Sequence, residues 1–343
     1  MTLDLPLIWA GVLAVAVLMY VLLDGFDLGV GILFPFARSD EERDAMMNSI
    51  APVWDGNETW LVLGGGGLFV VFPEAYAILL PALYLPIMAM LAGLILRGVA
   101  FEFRLRGRRT GKRLWTWAFA GGSIMAAAAQ GLVLGGFIQG VAVRDAQFAG
   151  GALDWATPYS LLAACGLVAG YALLGAGWLV LKTEGGLHEA ARRWTIRAAP
   201  IVALLLGAVS VATLIVHPLL AARWGLRLGA IDLGRLALLS PIPLLGLAGL
   251  IVAFLGGRSQ KSHAFGPLAG GFLAFLSGYL GLAVSFLPFV VPYSVTYTEV
   301  ASTPAALGLM LIGTLVLLPV ILGYSAWVYW IFRGKVGADA GYH

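Results

Sequence analysis

The chain has 343 residues, of which 60% are hydrophobic and only 11% charged. A water-soluble domain carries roughly 25% charged residues to keep its surface wet, so a soluble enzyme is excluded, and a mean hydropathy of +0.92 agrees. The net charge of +3 and the pI near 9.0 are ordinary for a membrane protein and give no reason to expect nucleic acid. Cys165 is the single cysteine, so no internal disulfide can form; it falls in an apolar stretch and reads as core.

A bilayer span needs about 20 apolar residues. Long runs without charge predict nine spans. The first covers Leu5 to Leu23 and continues, past two acids, to about Phe36. The second runs from Trp54 to Pro73 and the third from Ala75 to Leu96, joined by little more than Pro73-Glu74. The fourth fills Leu114 to Val143, the fifth Pro158 to Leu181 and the sixth Ala198 to Leu220. The seventh covers Leu236 to Gly257, the eighth Ala264 to Val291 and the ninth Ala305 to Phe332. The expectation is an all-α integral membrane protein forming one polytopic domain over residues 1–343. The start of the chain has Asp4 as its only early charge and no basic segment, so it reads as a retained span rather than a cleaved signal. The 46 glycines are spread through the spans, which suits close helix packing in lipid.

Basic residues set the orientation. Segments 37–53, 97–113, 182–197, 257–263 and the C-terminal tail hold 17 of the 21 Lys and Arg residues; Arg144, Arg223, Arg227 and Arg235 fall on the other side. The first side is expected to be cytoplasmic, with the N-terminus outside and the C-terminus inside. The run from Arg104 to Arg109 reads as its strongest anchor.

Polar groups in or near lipid are costly and by default mark ion paths or paired sites. Asp24 and Asp27 stand i, i+3 and share a helix face in Asp24-Gly-Phe-Asp27-Leu-Gly-Val-Gly31. They can exchange protons, or they can pair with an Arg or cap a broken helix. Asp55 and Glu58 repeat the spacing in Trp54-Asp55-Gly-Asn57-Glu58-Thr-Trp60. That segment also fits a capping box, in which the acids satisfy free backbone N–H groups. The following Gly64-Gly-Gly-Gly67 implies close approach by another backbone or a cofactor. Arg97, near the cytoplasmic end of the third span, either snorkels or pairs with Asp24, Asp27 or Asp55. His188, His263 and His343 fall in loops or at the end of the chain, and only His217 touches a span. No metal-spaced Cys/His cluster, P-loop or dinucleotide fingerprint is present.

Together, the segment ending the first span and Asn48-Ser-Ile-Ala-Pro52-Val-Trp54-Asp55-Gly-Asn57-Glu-Thr-Trp60 opening the second resemble subunit II of the cytochrome bd-type quinol oxidases, including their cyanide-insensitive branch. Arg97-Gly-Val-Ala-Phe-Glu102-Phe-Arg104, Phe286-Leu-Pro288-Phe289 and Tyr324-Ser-Ala-Trp327-Val-Tyr-Trp330 are similar to the same family, and the resemblance covers essentially the whole chain. It implies nine transmembrane helices arranged as two four-helix bundles plus a peripheral helix, in the bacterial cytoplasmic membrane. It implies a heterodimer with subunit I, which holds two b-type haems and one d-type haem. The complex takes quinol and oxygen as substrates, and this chain contributes no catalytic residue or metal ligand of its own. The resemblance places Asp55 in a proton path from the cytoplasm and Trp60 near an oxygen entrance; the residue chemistry adds Glu58, Asp24 and Asp27 as candidates for that path and Arg97 as their charge partner. A structural quinone and a small single-span accessory subunit are further features of the family. The chain departs from the pattern at Glu58, where many members have Gln, and in its short outer loops. A proton-coupled secondary transporter and a purely structural subunit are the competing readings.

Overall fold

A computed structural model describes residues 3–106, 109–227, 230–259 and 264–336. The segment around Gly107 and Arg108, and also Lys261, His263 and His343, fall outside them.

Helix starts follow local chemistry. Helix α1 (Leu5–Leu33) begins at Asp4, whose carboxylate accepts from the Leu7 N–H at 3.1 Å, with a proline in its first turn. Helix α2 (Asp40–Ile50) is capped by Ser39 and has three acids in its first turn, where the helix dipole favours them. The Ser39 side chain also holds the Glu41 carboxyl below its ordinary range. Helix α3 (Trp54–Val71) is followed by α4 (Pro73–Ala82), α5 (Tyr84–Arg106) and α6 (Arg109–Gln139). Strands β1 (Val143–Arg144) and β2 (Gln147–Phe148) form a short hairpin before α7 (Pro158–Lys182), which Thr157 caps. Helix α8 (Gly185–Val216) leads through α9 (Pro218–Arg223) to the hairpin of β3 (Leu226–Arg227) and β4 (Ala230–Ile231). Then come α10 (Leu233–Leu239), α11 (Pro241–Arg258), α12 (Gly266–Phe286), the hairpin of β5 (Phe289–Val291) and β6 (Val295–Thr296), and α13 (Pro304–Ile331). The three hairpins lie at the end of the bundle where α1 starts, and α2 lies at the opposite end.

Eight helical stretches among the described residues are long and apolar enough to cross a membrane. Helix α3 is not one of them: it has 18 residues, but its opening turns carry Asp55, Asn57, Glu58 and Thr59. The third span also shifts. The turn at Pro73 opens a short helix, and the chain breaks instead at Leu83, because Pro86 has no N–H for the Ala82 carbonyl. The apolar stretch therefore runs from Tyr84 to Arg104 rather than from Ala75 to Leu96. Helix α8 starts at Gly185 rather than Ala198, so His188 lies in its first turn and not in a loop. The seventh span is interrupted at Ser240-Pro241.

Helix α5 packs along α6, α6 along α7, and α7 against both α1 and α8. Helices α11 and α12 form a close pair set against α7 and α8, and α3 lies on α1. Helix α13 touches the rest mainly through α1 and is largely exposed. The largest core cluster joins α1, α2, α5, α6 and α7. Cys165, expected in the core, is exposed on α7. Hydropathy marks its helix as buried in lipid, and in lipid an outward face is as apolar as an inward one.

A buried charge cluster as the candidate functional site

Asp24 and Asp27 are fully buried, one turn apart on α1. Arg97 projects from α5 into the same interior and is 2% exposed. Its Nη1 donates to Asp24 Oδ1 at 2.7 Å and its Nη2 to Glu58 Oε2 at 2.9 Å, so one guanidinium bridges acids from α1 and α3. The Trp54 ring lies 5.9 Å beneath the guanidinium carbon. Arg97 is therefore a buried ion-pair partner and not a snorkelling residue. A guanidinium suits this position, because its planar fork reaches two carboxylates at once and it stays ionised in a poorly solvated site.

Asp27 is held differently. Its Oδ2 accepts from Asn57 Nδ2 at 2.8 Å, and Asn57 Oδ1 accepts from the Tyr329 hydroxyl at 2.8 Å. Among the described residues, Asp27 Oδ1 and Asp24 Oδ2 are buried without a hydrogen-bond partner. Helix α3 thus turns Asn57 toward one acid of α1 and Glu58 toward the cation that holds the other. Asp55 is exposed in its first turn, and Glu58 is 29% exposed. The capping-box reading does not hold: the N-cap of α3 is Val53, with no side-chain cap. Trp60 is buried one turn further on, clustered with Ala16 and Tyr20.

A neutral polar chain continues from the acids. Tyr20 stands one turn before Asp24. Its hydroxyl accepts from Gln130 Nε2 at 2.7 Å, and the Tyr171 hydroxyl donates to Gln130 Oε1 at 2.7 Å. A second buried cation, Arg104, pairs with Asp44 and donates to Thr116 Oγ1 at 3.1 Å, while its guanidinium lies 5.0 Å from the Phe34 ring. It ties α2 to α5 and α6. The basic run suggests that Arg104 belongs to an exposed cytoplasmic anchor, and the structure corrects that. The glycine run is also less crowded than expected. A methyl added at Gly64 or Gly67 would meet side chains of α1, whereas one added at Gly65 or Gly66 would meet nothing beyond its own helix backbone within 4 Å among the described residues.

The two described histidines make local contacts. His188 Nδ1 donates to the Val180 carbonyl at 3.0 Å. His217 accepts from the Leu219 N–H to start α9 and stacks on Tyr293 with ring centres 3.9 Å apart. Among the described residues no group of three or more His, Cys, Asp or Glu is placed to hold a metal ion.

Fold and site together define a multi-pass membrane protein with a charged interior. The model of the family described as cytochrome bd terminal oxidase subunit II matches residues 5–332, and the chain belongs to that family. It is 30% identical to cytochrome bd-I ubiquinol oxidase subunit 2 of Escherichia coli K12, over 97% of this chain and 95% of that protein. It is 29% identical to cytochrome bd ubiquinol oxidase subunit 2 of Bacillus subtilis, over 96% of each. A chain of the bd oxidase of Geobacillus thermodenitrificans has the same fold, with a TM-score of 0.74 at 17% identity, covering 97% of this chain and 100% of that one. The secondary-transporter alternative gains nothing from these matches.

Proposed function

We propose that this chain is subunit II of a quinol:oxygen oxidoreductase in the bacterial cytoplasmic membrane, and that it serves the complex as scaffold and proton conduit. The partner, subunit I, holds two b-type haems and one d-type haem. Those groups supply the electron transfer from quinol and the reduction of oxygen to water. Nine helices cross the membrane once α3 is counted, as two four-helix bundles (α1, α3, α5, α6 and α7, α8, α11, α12) with α13 peripheral. Helix α3 escapes the apolarity requirement because Asn57 and Glu58 turn toward α1 and α5.

The observation that carries the reading is a graded set of acids. Asp55 is exposed, Glu58 is partly exposed, and Asp24 and Asp27 are buried, all at the junction of α1 and α3. Asp55 collects a proton from the cytoplasm and Glu58 stands next inward. Arg97 pairs with Asp24 and Glu58, while Asn57 holds Asp27 by one oxygen and leaves the other open to take and release a proton. Trp60 borders the route by which oxygen enters from the apolar phase. A structural quinone and a small accessory subunit complete the assembly.

Asp55→Asn keeps the shape and loses the proton. Because Val53 is the N-cap, this substitution removes no cap. The expected result is an assembled complex with wild-type haem spectra and oxygen consumption lowered roughly a hundredfold or more, with Asp55→Glu recovering part of it. Wild-type turnover in Asp55→Asn would remove Asp55 from the path. For orientation, a periplasmic reporter fused after Asp154 gives signal and one fused after Glu184 gives none, because basic residues gather on the Glu184 side. The reverse pattern would invert the proposed topology.

A further inference from the structure

Helix α13 has little burial to hold it, so its few polar contacts matter. One lies at its start, where Trp9 Nε1 donates to the Leu307 carbonyl at 3.1 Å. One lies near its end, the Tyr329–Asn57 hydrogen bond. The third is supplied by α7. The last carbonyls of a helix have no partner within it, and here the Lys182 ammonium donates to the carbonyls of Phe332 and, at 3.3 Å, Gly334. A cation at that position also complements the negative end of the helix dipole. The chain then returns: the Val336 N–H donates to the Lys182 carbonyl at 2.8 Å, and Lys335 lies 3.5 Å from Glu184.

The same stretch of α7 reaches Asp27 by a second route. The Lys182 ammonium lies 5.0 Å over the Trp178 ring, one turn earlier. One face of Trp178 stacks on Phe26, the neighbour of Asp27, with ring centres 4.1 Å apart and planes 13° apart. Tyr329 meets Trp178 edge-on at 6.2 Å. Tyr329 is thus fixed between an aromatic wall from α7 and the amide of Asn57, one turn before the carbonyl that Lys182 holds.

We infer that Lys182 is a positioning residue for the Asp27 site. It caps α13 from α7, sets the height and rotation of Tyr329, and through Tyr329 and Asn57 orients the Asp27 carboxylate. This rests on the reading that Asp27 exchanges protons. No bond is made or broken at Lys182. It acts through another helix on a group 155 residues away in sequence.

The test uses the intact complex. Lys182→Met keeps the length of the side chain and removes the ammonium. Turnover of the assembled, fully haem-loaded complex falls about tenfold, the worth of one charge-assisted hydrogen bond, and Lys182→Arg restores most of it. Tyr329→Phe lowers turnover to a similar degree, and the double variant is no slower than Tyr329→Phe alone, because both remove the same constraint. Wild-type turnover in Lys182→Met, or losses that multiply in the double variant, would overturn the inference. Amide hydrogen exchange gives a readout independent of proton transfer. Exchange in the last turn of α13 rises in Lys182→Met, and unchanged exchange overturns the latch even where Tyr329→Phe is slow. A wild-type rate in both Tyr329→Phe and Asp27→Asn overturns the proton reading instead, while the exchange result still decides whether Lys182 holds α13.

Discussion

The two halves of this membrane bundle are built with the same packing device but differ in what they bury. In the half formed by α11 and α12 against α7 and α8, backbones meet at glycine. A methyl added at Gly249 or Gly270 would strike the opposite helix's backbone, and one at Gly177 would strike Leu268. Its buried polar side chains are small hydroxyls such as Thr195 and Ser277, which donate to backbone carbonyls. Its buried cations, Lys182 and Arg192, sit at helix ends, where Lys182 donates to the carbonyls of Phe332 and Gly334 and Arg192 to those of Gly257 and Arg258. The half formed by α1, α3, α5 and α6 also has glycine contacts, as at Gly93 against Gly122. In addition it buries Asp24, Asp27, Asn57, Arg97 and Gln130 within the helices. Glycine packing is therefore the means of folding in both halves, and ionisable side chains at mid-helix belong to one. Since removing charge from water is expensive, the half that carries it is where function is to be sought.

The largest expected effect follows directly. Arg97→Leu leaves the Asp24 carboxylate buried without its cation and frees Glu58. Breaking a buried pair from one side costs about 3–5 kcal/mol. The yield of assembled, haem-containing complex should collapse. Arg97→Lys keeps the charge but cannot span both acids with one fork, so it should assemble with lower thermal stability. Near-native yield and stability in both variants would show that the charged half tolerates unpaired acids, and the contrast between halves would lose its meaning.

Much of this contrast is legible in the sequence where the signal is local. Asp24 and Asp27 one turn apart, Asp55 and Glu58 at the same spacing, and an arginine isolated in an apolar run allow a buried cluster beside capping and snorkelling; the structure joins Arg97 to Asp24, as one of the expected partners, and to Glu58 in place of Asp27 or Asp55. What the sequence hides depends on distant partners. Gln130 meets Tyr20 across 110 positions and Tyr329 meets Asn57 across 272. A neutral side chain in a long apolar run carries no sign of which helix it will face. Arg104 is hidden by company: inside a run of basic residues its burial against Asp44 looks like one more surface charge. Cys165 and Gly65–Gly66 mislead for a reason peculiar to membranes. Hydropathy separates water from lipid, but it does not separate lipid from a protein interior.

The smallest effects test the glycine side of the comparison. Gly270→Ala places a methyl on the Gly249 carbonyl and on the Ala253 backbone, neither of which can swing aside as a side-chain tip can. The helices must separate, at the typical overpacking cost of about 1–3 kcal/mol, read as a lower thermal midpoint. Gly65→Ala is the opposite case. No atom beyond the backbone of its own helix lies within 4 Å of the new methyl among the described residues. Alanine also favours a helix over glycine by about 1 kcal/mol, so the isolated chain should be unchanged or slightly more stable. Measuring both variants in the chain alone and in the complex separates two uses of glycine. Equal losses from both in the chain alone would mean that glycine is needed for helix geometry rather than for close approach. A loss from Gly65→Ala confined to the complex would mean that the backbone approach implied by Gly64–Gly67 is made by subunit I.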